Sequence, residues 1–145
     1  MERQSEDTTE LIRRIENIVR LGVIAQVDRD AVLVRVRMQA QDDEDADLLT
    51  NWLPWKSMRA GAVRVWSAPS IGEQCTVLSP GGDLAQGVAL PGIYSDETPP
   101  PDASENSLVV DAPSNGSITL RCGESSLVID GNAITLRAAR IDLNP

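Results

Sequence analysis

The residues best equipped for chemistry in this 145-residue chain are carboxylates, and they crowd together: Asp42, Asp43, Glu44, Asp45 and Asp47 lie between Gln41 and Asp47. Such a run is either a solvated loop or a set of hard oxygen ligands for calcium. A calcium-binding hand counted from Asp42 needs glycine at its sixth position and glutamate at its twelfth. The chain supplies Asp47 and Leu53 there, so the run is read as an exposed acidic loop. Histidine is absent, which removes the commonest general base, the commonest metal ligand and every Ser-His triad. Cys75 and Cys122 lie far apart in sequence. Two isolated thiols cannot make a structural zinc site, and they are read as small, unpaired, buried groups. Ser79-Pro80-Gly81-Gly82-Asp83 is rich in glycine but lacks the Gly-Lys-Ser/Thr ending of a phosphate loop, so a tight turn between strands explains it better. Paired carboxylates can cleave glycosides, yet the acidic residues here cluster in a loop with no recognisable cleft. No catalytic residue, metal site or cofactor is expected, and the chain is read as a non-enzyme.

A binding chemistry remains. Trp52, Trp55 and Trp66, with Lys56, Arg59 and Arg64 near them, have the composition of a surface that stacks bases over a basic groove. The net charge of −9 and a pI near 4.4 oppose it, because phosphate backbones are repelled by such a chain. The tryptophans are read instead as filling the mouth of a barrel or as a candidate subunit contact, with no nucleic acid expected.

These residues need elements to carry them. Residues 7 to 21 read as a helix with Asp7, Thr8 or Thr9 as N-cap, Leu11, Ile15 and Ile18 on one face, and Gly22 as the stop signal. From Gly22 to Tyr94 the apolar runs Val23 to Val27, Ala31 to Met38, Asn51 to Trp55, Gln74 to Leu78 and Gly87 to Leu90 predict a small Greek-key barrel. Pro99-Pro100-Pro101, followed by Asp102, Ala103, Ser104 and Glu105, predicts a stiff polar connector. The organisation is therefore a helix at 1–21, a barrel at 22–96, a linker at 97–106 and a repeat segment at 107–145. With no Phe and one Tyr, the core has to be built from Val, Ile, Leu and Ala, which suits strands. No stretch approaches the ~18 to 20 apolar residues that span a bilayer, and no secretory signal is read at the polar N-terminus, so synthesis in the cytoplasm is expected.

The repeat segment alternates strictly. Leu108, Val110 and Ala112 form the first set, followed by Ile118, Leu120 and Cys122; Leu127 and Ile129; Ile134, Leu136 and Ala138; and Ile141 and Leu143. A spacing of two puts each set on one face of a strand, with Thr119, Arg121, Val128, Asp130, Thr135 and Arg137 on the other, mostly polar face. Ser114-Asn115-Gly116, Gly123-Glu124-Ser125 and Asp130-Gly131-Asn132 supply the turns. Five such strands make one oily ribbon with two open edges and nothing to cover it. Closed symmetry removes both problems. The expectation is a mainly β homotrimer whose C-terminal ribbons wrap one axis as a triple-stranded β-helix or β-prism. Its inward core would be Leu108, Val110, Ile118, Leu120, Leu127, Ile129, Ile134, Leu136, Ile141 and Leu143.

Four segments carry a resemblance: Trp52-Leu53-Pro54-Trp55, Ala68-Pro69-Ser70-Ile71-Gly72-Glu73-Gln74, Ser79 to Gly87, and Leu90-Pro91-Gly92-Ile93-Tyr94-Ser95. In this order and spacing they resemble the baseplate assembly protein V, or central tail spike, of contractile-tailed phages and phage-tail-like bacteriocins, and are similar to the spikes of type VI secretion. The resemblance implies an N-terminal helix, an OB-fold barrel seated on a baseplate hub, and a trimeric β-helix driven transiently through the target outer membrane when the sheath contracts. On that basis Trp52, Trp55 and Trp66 become a candidate hub or subunit contact. The protein would belong to the baseplate of a virion or tail-like particle, made in the host cytoplasm. Relatives often end in a His-x-His apex whose three copies hold iron. This chain has no histidine and stops at Asn144-Pro145, so either its tip is truncated, or the spike is closed by another protein or by plain packing. The alternative is an OB-fold module binding nucleic acid or protein, with the repeats as a trimerising stalk. A glycan-cleaving spike would need a further domain for which 145 residues leave no room.

Overall fold

The structure, a computed structural model, describes residues 2–39 and 47–144, with side chains for residues 7–38 and 47–144. Asp42, Asp43, Glu44 and Asp45 of the acidic run lie outside the described residues. The chain divides into two compact units, residues 1–99 and 100–145, a division that falls inside the run of three prolines.

The first unit holds α1 (Glu2–Asn17), β1 (Val19–Asp28), β2 (Leu33–Gln39), β3 (Asp47–Leu49), β4 (Leu53–Pro54), β5 (Gln74–Leu78) and β6 (Val88–Ile93). β1 is long enough to serve two neighbours. Its first half pairs antiparallel with β5, from Val19 opposite Leu78 to Val23 opposite Gln74. After a register shift between Ile24 and Gln26, its second half continues against β2 as far as Asp28 opposite Leu33. A bulge increases local twist and bends a strand, and here the bend lets one strand turn the corner of a barrel. β4 pairs with β2, Trp55 bridges Ala89 of β6 in parallel, and β6 returns to β5. The circuit β1-β2-β4-β6-β5 is thus closed through the single bridge that follows β4, while β3 pairs with the far end of β2.

Alternation along β2 decides what lines the barrel: Val34, Val36 and Met38 are buried, while Arg35 and Arg37 between them point outward. Ile24, Leu53, Trp55, Cys75, Val77 and Ala89 complete the interior. Each fully buried aliphatic side chain contributes about 1.5–3 kcal/mol. Thr50, a polar side chain beside this interior, is 4% exposed. Its hydroxyl accepts from the Val36 amide at 2.9 Å and donates to the Asn51 carbonyl at 2.8 Å, so its burial leaves nothing unpaired.

Two expectations about the helix are corrected. It runs from Glu2 to Asn17 and not from 7 to 21, so Asp7, Thr8 and Thr9 are interior positions and not caps. Gly22 does not stop it. That glycine lies within β1, where a Cβ would stand 2.5 Å from Val36 Cγ1 and 2.8 Å from the Arg37 carbonyl oxygen. It permits close approach of two strands in a narrow barrel, a role local patterning cannot separate from a helix stop.

The second unit is a meander of β7 (Ser117–Cys122), β8 (Ser125–Asp130) and β9 (Ile134–Arg137) in that order. Gly123, at φ 56°, takes the left-handed position in the tight turn between β7 and β8. At the next turn the Asp130 carboxylate accepts from the amides of Asn132 and Ala133 at 2.9 and 3.0 Å. The sets around Leu108 to Ala112 and Ile141 to Leu143 were expected as strands and are not strands here. A strand needs a neighbour to take its backbone hydrogen bonds, and among the described residues neither segment pairs with one.

Candidate functional site

The register of the meander aligns the apolar sets across all three strands. Ile118 stands opposite Ile129, which stands opposite Ile134; Leu120 stands opposite Leu127, which stands opposite Leu136. On the other face Thr119, Val128 and Thr135 form one row, and Arg121, Ser126 and Arg137 another. The apolar face is uncovered: Ile134 is 71% exposed, Leu120 65% and Leu136 49%. Ile118 and Leu127 are half-buried, while Leu108, Val110, Ile129, Ile141 and Leu143 are exposed as well. Aligned Ile and Leu rows of this kind attract each other across strands and remain open to further apolar contact on the face above.

The three tryptophans do not form one cluster. Trp55 belongs to the barrel core at 7% exposed, so it cannot itself be a contact for another protein. Trp66, 62% exposed, rests on it with ring centroids 5.6 Å apart and planes inclined at 56°, an arrangement aromatic rings favour. Trp52 lies under the Arg35 guanidinium, 6.0 Å from ring centroid to Cζ.

Between the paired rings runs an ordered loop from Lys56 to Trp66. The Lys56 amide donates to the Ala89 carbonyl at 2.8 Å, and the Val65 amide to the Arg59 carbonyl at 3.0 Å. The Ser57 hydroxyl donates to the Val65 carbonyl, tying the two arms together. The loop exposes Met58 at 77% and Val63 at 63%.

A cleft of about 330 Å³ opens between the turn at Ser70–Glu73 and the end of β6, with Ile71, Ile93 and Tyr94 as its apolar walls and Glu73 and Glu97 among its lining. The turn is held by the Gly72 amide on the Ile24 carbonyl at 2.9 Å and by the Ser70 amide on the Glu73 carboxylate at 2.9 Å. The sequence already offered Trp66 of this loop as a candidate hub or subunit contact, with Lys56, Arg59 and Arg64 near it, but gave no role to the cleft. The available signal was a set of large apolar side chains, among them Met58, Val63, Ile71 and Tyr94, on segments too short in alternation to be strands.

The glycine-rich turn at Ser79 to Asp83 seats α1. The Ser79 amide donates to the Ile18 carbonyl at 2.9 Å, and Gly82, at φ 72°, lies so close under Arg14 that a Cβ would collide with the Arg14 backbone. Asn17, 2% exposed, accepts from the Arg20 guanidinium at 2.9 Å. α1 therefore meets the barrel through Arg14 and Asn17, while Leu11, Ile12 and Ile15 stay more than half exposed. Among the described residues, the Ser79 hydroxyl is buried with no partner.

Burial pushes the Cys75 thiol up from 9.0 to about 11, with the Glu73 charge adding to it, which keeps it protonated and inert. Cys122 is exposed, not buried as expected, because it shares the uncovered face of Ile118 and Leu120. Among the described residues no group of three or more His, Cys, Asp or Glu is arranged to hold a metal ion. Asp47, the one described member of the acidic run, lies 3.7 Å from Arg37 Nε.

A five-strand barrel with a helix seated on one turn, followed by a separate β meander with an uncovered apolar face, defines a small β-barrel module with an appended β segment. Residues 20–94 match the family described as the Type VI secretion system/phage-baseplate injector OB domain, and the chain belongs to that family. It is also 37% identical over 122 residues to the spike protein of Escherichia phage P2, an alignment covering 84% of this chain and 54% of that relative. The chain thus spans about half the length of the curated relative it matches.

Proposed function

We propose that this chain is the central spike component of a contractile injection baseplate, acting as a non-enzymatic homotrimer. Its barrel seats on the baseplate hub, and residues 107–145 of three copies wrap one axis as a triple-stranded β-helix that is driven through the target envelope on sheath contraction. Family membership and the likeness to a phage spike support the baseplate assignment. The observation that carries the trimer is the uncovered face on which Ile118, Ile129 and Ile134 align beside Leu120, Leu127 and Leu136. An isolated meander of this size is marginal in water, and threefold closure covers its face and gives the unpaired segments at Leu108 to Ala112 and Ile141 to Leu143 their missing neighbours. No cofactor or metal is part of this reading, and no nucleic acid.

Light scattering on the purified chain tests it. The wild type is expected at three times the chain mass, and Ile134→Asp as smaller species, because three unpaired carboxylates would have to be buried around one axis. A stable monomer for the wild type, or a full trimer for Ile134→Asp, overturns the reading.

A further inference from the structure

The loop from Lys56 to Trp66 and the cleft beside Tyr94 are unlike surfaces on one end of the same barrel. Trp55 bridges Ala89 in parallel, so the chain leaving Trp55 runs in the direction of β6, toward Ile93. Gln74 pairs with Ile93, which puts the start of β5 and its preceding turn at that end as well. The loop leaves from β4, whereas the cleft forms where β5 begins and β6 ends.

Their charges are opposite and unmixed. From Asn51 to Gly72 the only charged residues are Lys56, Arg59 and Arg64, and from Ser67 to Leu120 there is no Lys or Arg at all. None of the three cations makes an ion pair among the described residues. The cleft carries Glu73 and Glu97 in its lining, with Asp96 next in sequence. Their apolar parts also match, Met58 and Val63 projecting from an ordered loop, and Ile71 and Tyr94 walling a recess.

We propose that in the trimer the Lys56–Trp66 loop of each copy docks into the Tyr94 cleft of the next copy. A contact between unlike patches is heterologous, and with a rotation of one third it closes into a ring in which every loop and every cleft is used. Apolar insertion surrounded by opposite charges fixes register and rejects wrong partners. The interlock rests on the trimeric reading above and adds to it a second ring of contacts at the barrel. It also accounts for a basic, oily loop on a chain of net charge −9.

The test uses the full chain with Cys122→Ser, so that no exposed native thiol interferes, and adds Met58→Cys and Tyr94→Cys. Mild oxidation is expected to give covalent dimers and trimers on a non-reducing denaturing gel, and only when both new cysteines are present. Arg59→Glu with Arg64→Glu should slow cross-linking at least about tenfold, and adding Asp96→Arg with Glu97→Arg should restore most of it. A trimeric mass by light scattering without covalent dimers or trimers overturns the interlock and leaves the trimeric spike standing. A monomeric mass overturns both. Cross-linking indifferent to the charge reversals overturns the electrostatic part of the interlock.

Discussion

Single atoms decide several outcomes in this chain. At Gly22, a methyl group would stand 2.5 Å from Val36 Cγ1 and 2.9 Å from Met38 Cγ, both on buried side chains. Gly22→Ala is therefore expected to destabilise the barrel by about 1–3 kcal/mol through overpacking, read as a lower urea midpoint with unchanged slope. The two thiols separate by environment. Cys75, raised to about 11 by burial, stays protonated and unreactive at neutral pH. Cys122 lies on the oily face beside Leu120, exposed in the single chain and covered in the proposed trimer. Titration with a thiol reagent at pH 8 should find neither group reactive in the assembled protein, and one reactive per chain in Ile134→Asp. A fast-reacting thiol in the wild type would mean that the face is open.

At the scale of elements, α1 shows how a helix can be held without burying its oily stripe. Glu10 accepts from Arg13 Nε at 2.9 Å and Nη2 at 2.8 Å, and from Arg14 Nε at 3.0 Å. These bonds, led by Arg13, hold its carboxyl down from 4.5 to about 2. A depressed carboxyl lends its stabilisation above the unfolded value and loses it as pH falls through the folded one. The contribution to α1 should thus be complete above 4.5 and lost on acidification toward 2. Following the Glu10 carboxyl by NMR should give an inflection near 2, and Glu10→Gln should remove that pH dependence from the helix. An inflection near 4.5 would mean that the arginine contacts do not persist in water. The meander behaves differently, since it has neither a helix nor a second sheet over its apolar face within the second unit. Its rows of Ile and Leu are in register but half finished, which is why the same residues that look like a core in sequence are exposed in the single chain.

For the whole molecule, the proposed needle is a mechanical object. A closed, interleaved trimer offers no free edge from which unzipping can start, so many pairings have to break together. The wild type is expected to refold at a rate that rises with protein concentration, because assembly is bimolecular or higher, and to unfold at least about a hundredfold more slowly than Ile134→Asp. Stopped-flow and manual-mixing kinetics over a tenfold concentration range check both. Unfolding as fast as the variant's would remove the kinetic argument. The charge of −9 per chain is tripled in such an assembly, which keeps particles apart in solution but makes opposite-sign contacts between copies more valuable, and the loop carries Lys56, Arg59 and Arg64 with no acidic residue among them.

Much of this protein was legible without coordinates, for local reasons. A period of two dictates which side chains share a face, so the pairing of Ile118 with Ile129 and of Leu120 with Leu127 follows once the turn at Gly123 joins the strands. Motif order from Trp52 to Ser95 pointed to the family that residues 20–94 match, and the missing histidine narrowed the chemistry before any fold was known. Only the tertiary structure decided what depends on contacts far apart in the chain. It separated Trp55 in the core from Trp66 on the surface, turned Gly22 from a helix stop into a strand crossing, and made Ser79 to Gly82 the seat of α1. It also brought the turn at Ser70 to the end of β6 to form a cleft. Periodicity and turn preference belong to neighbouring residues and are written in their order, whereas burial belongs to whichever distant segment arrives beside a residue when the barrel closes.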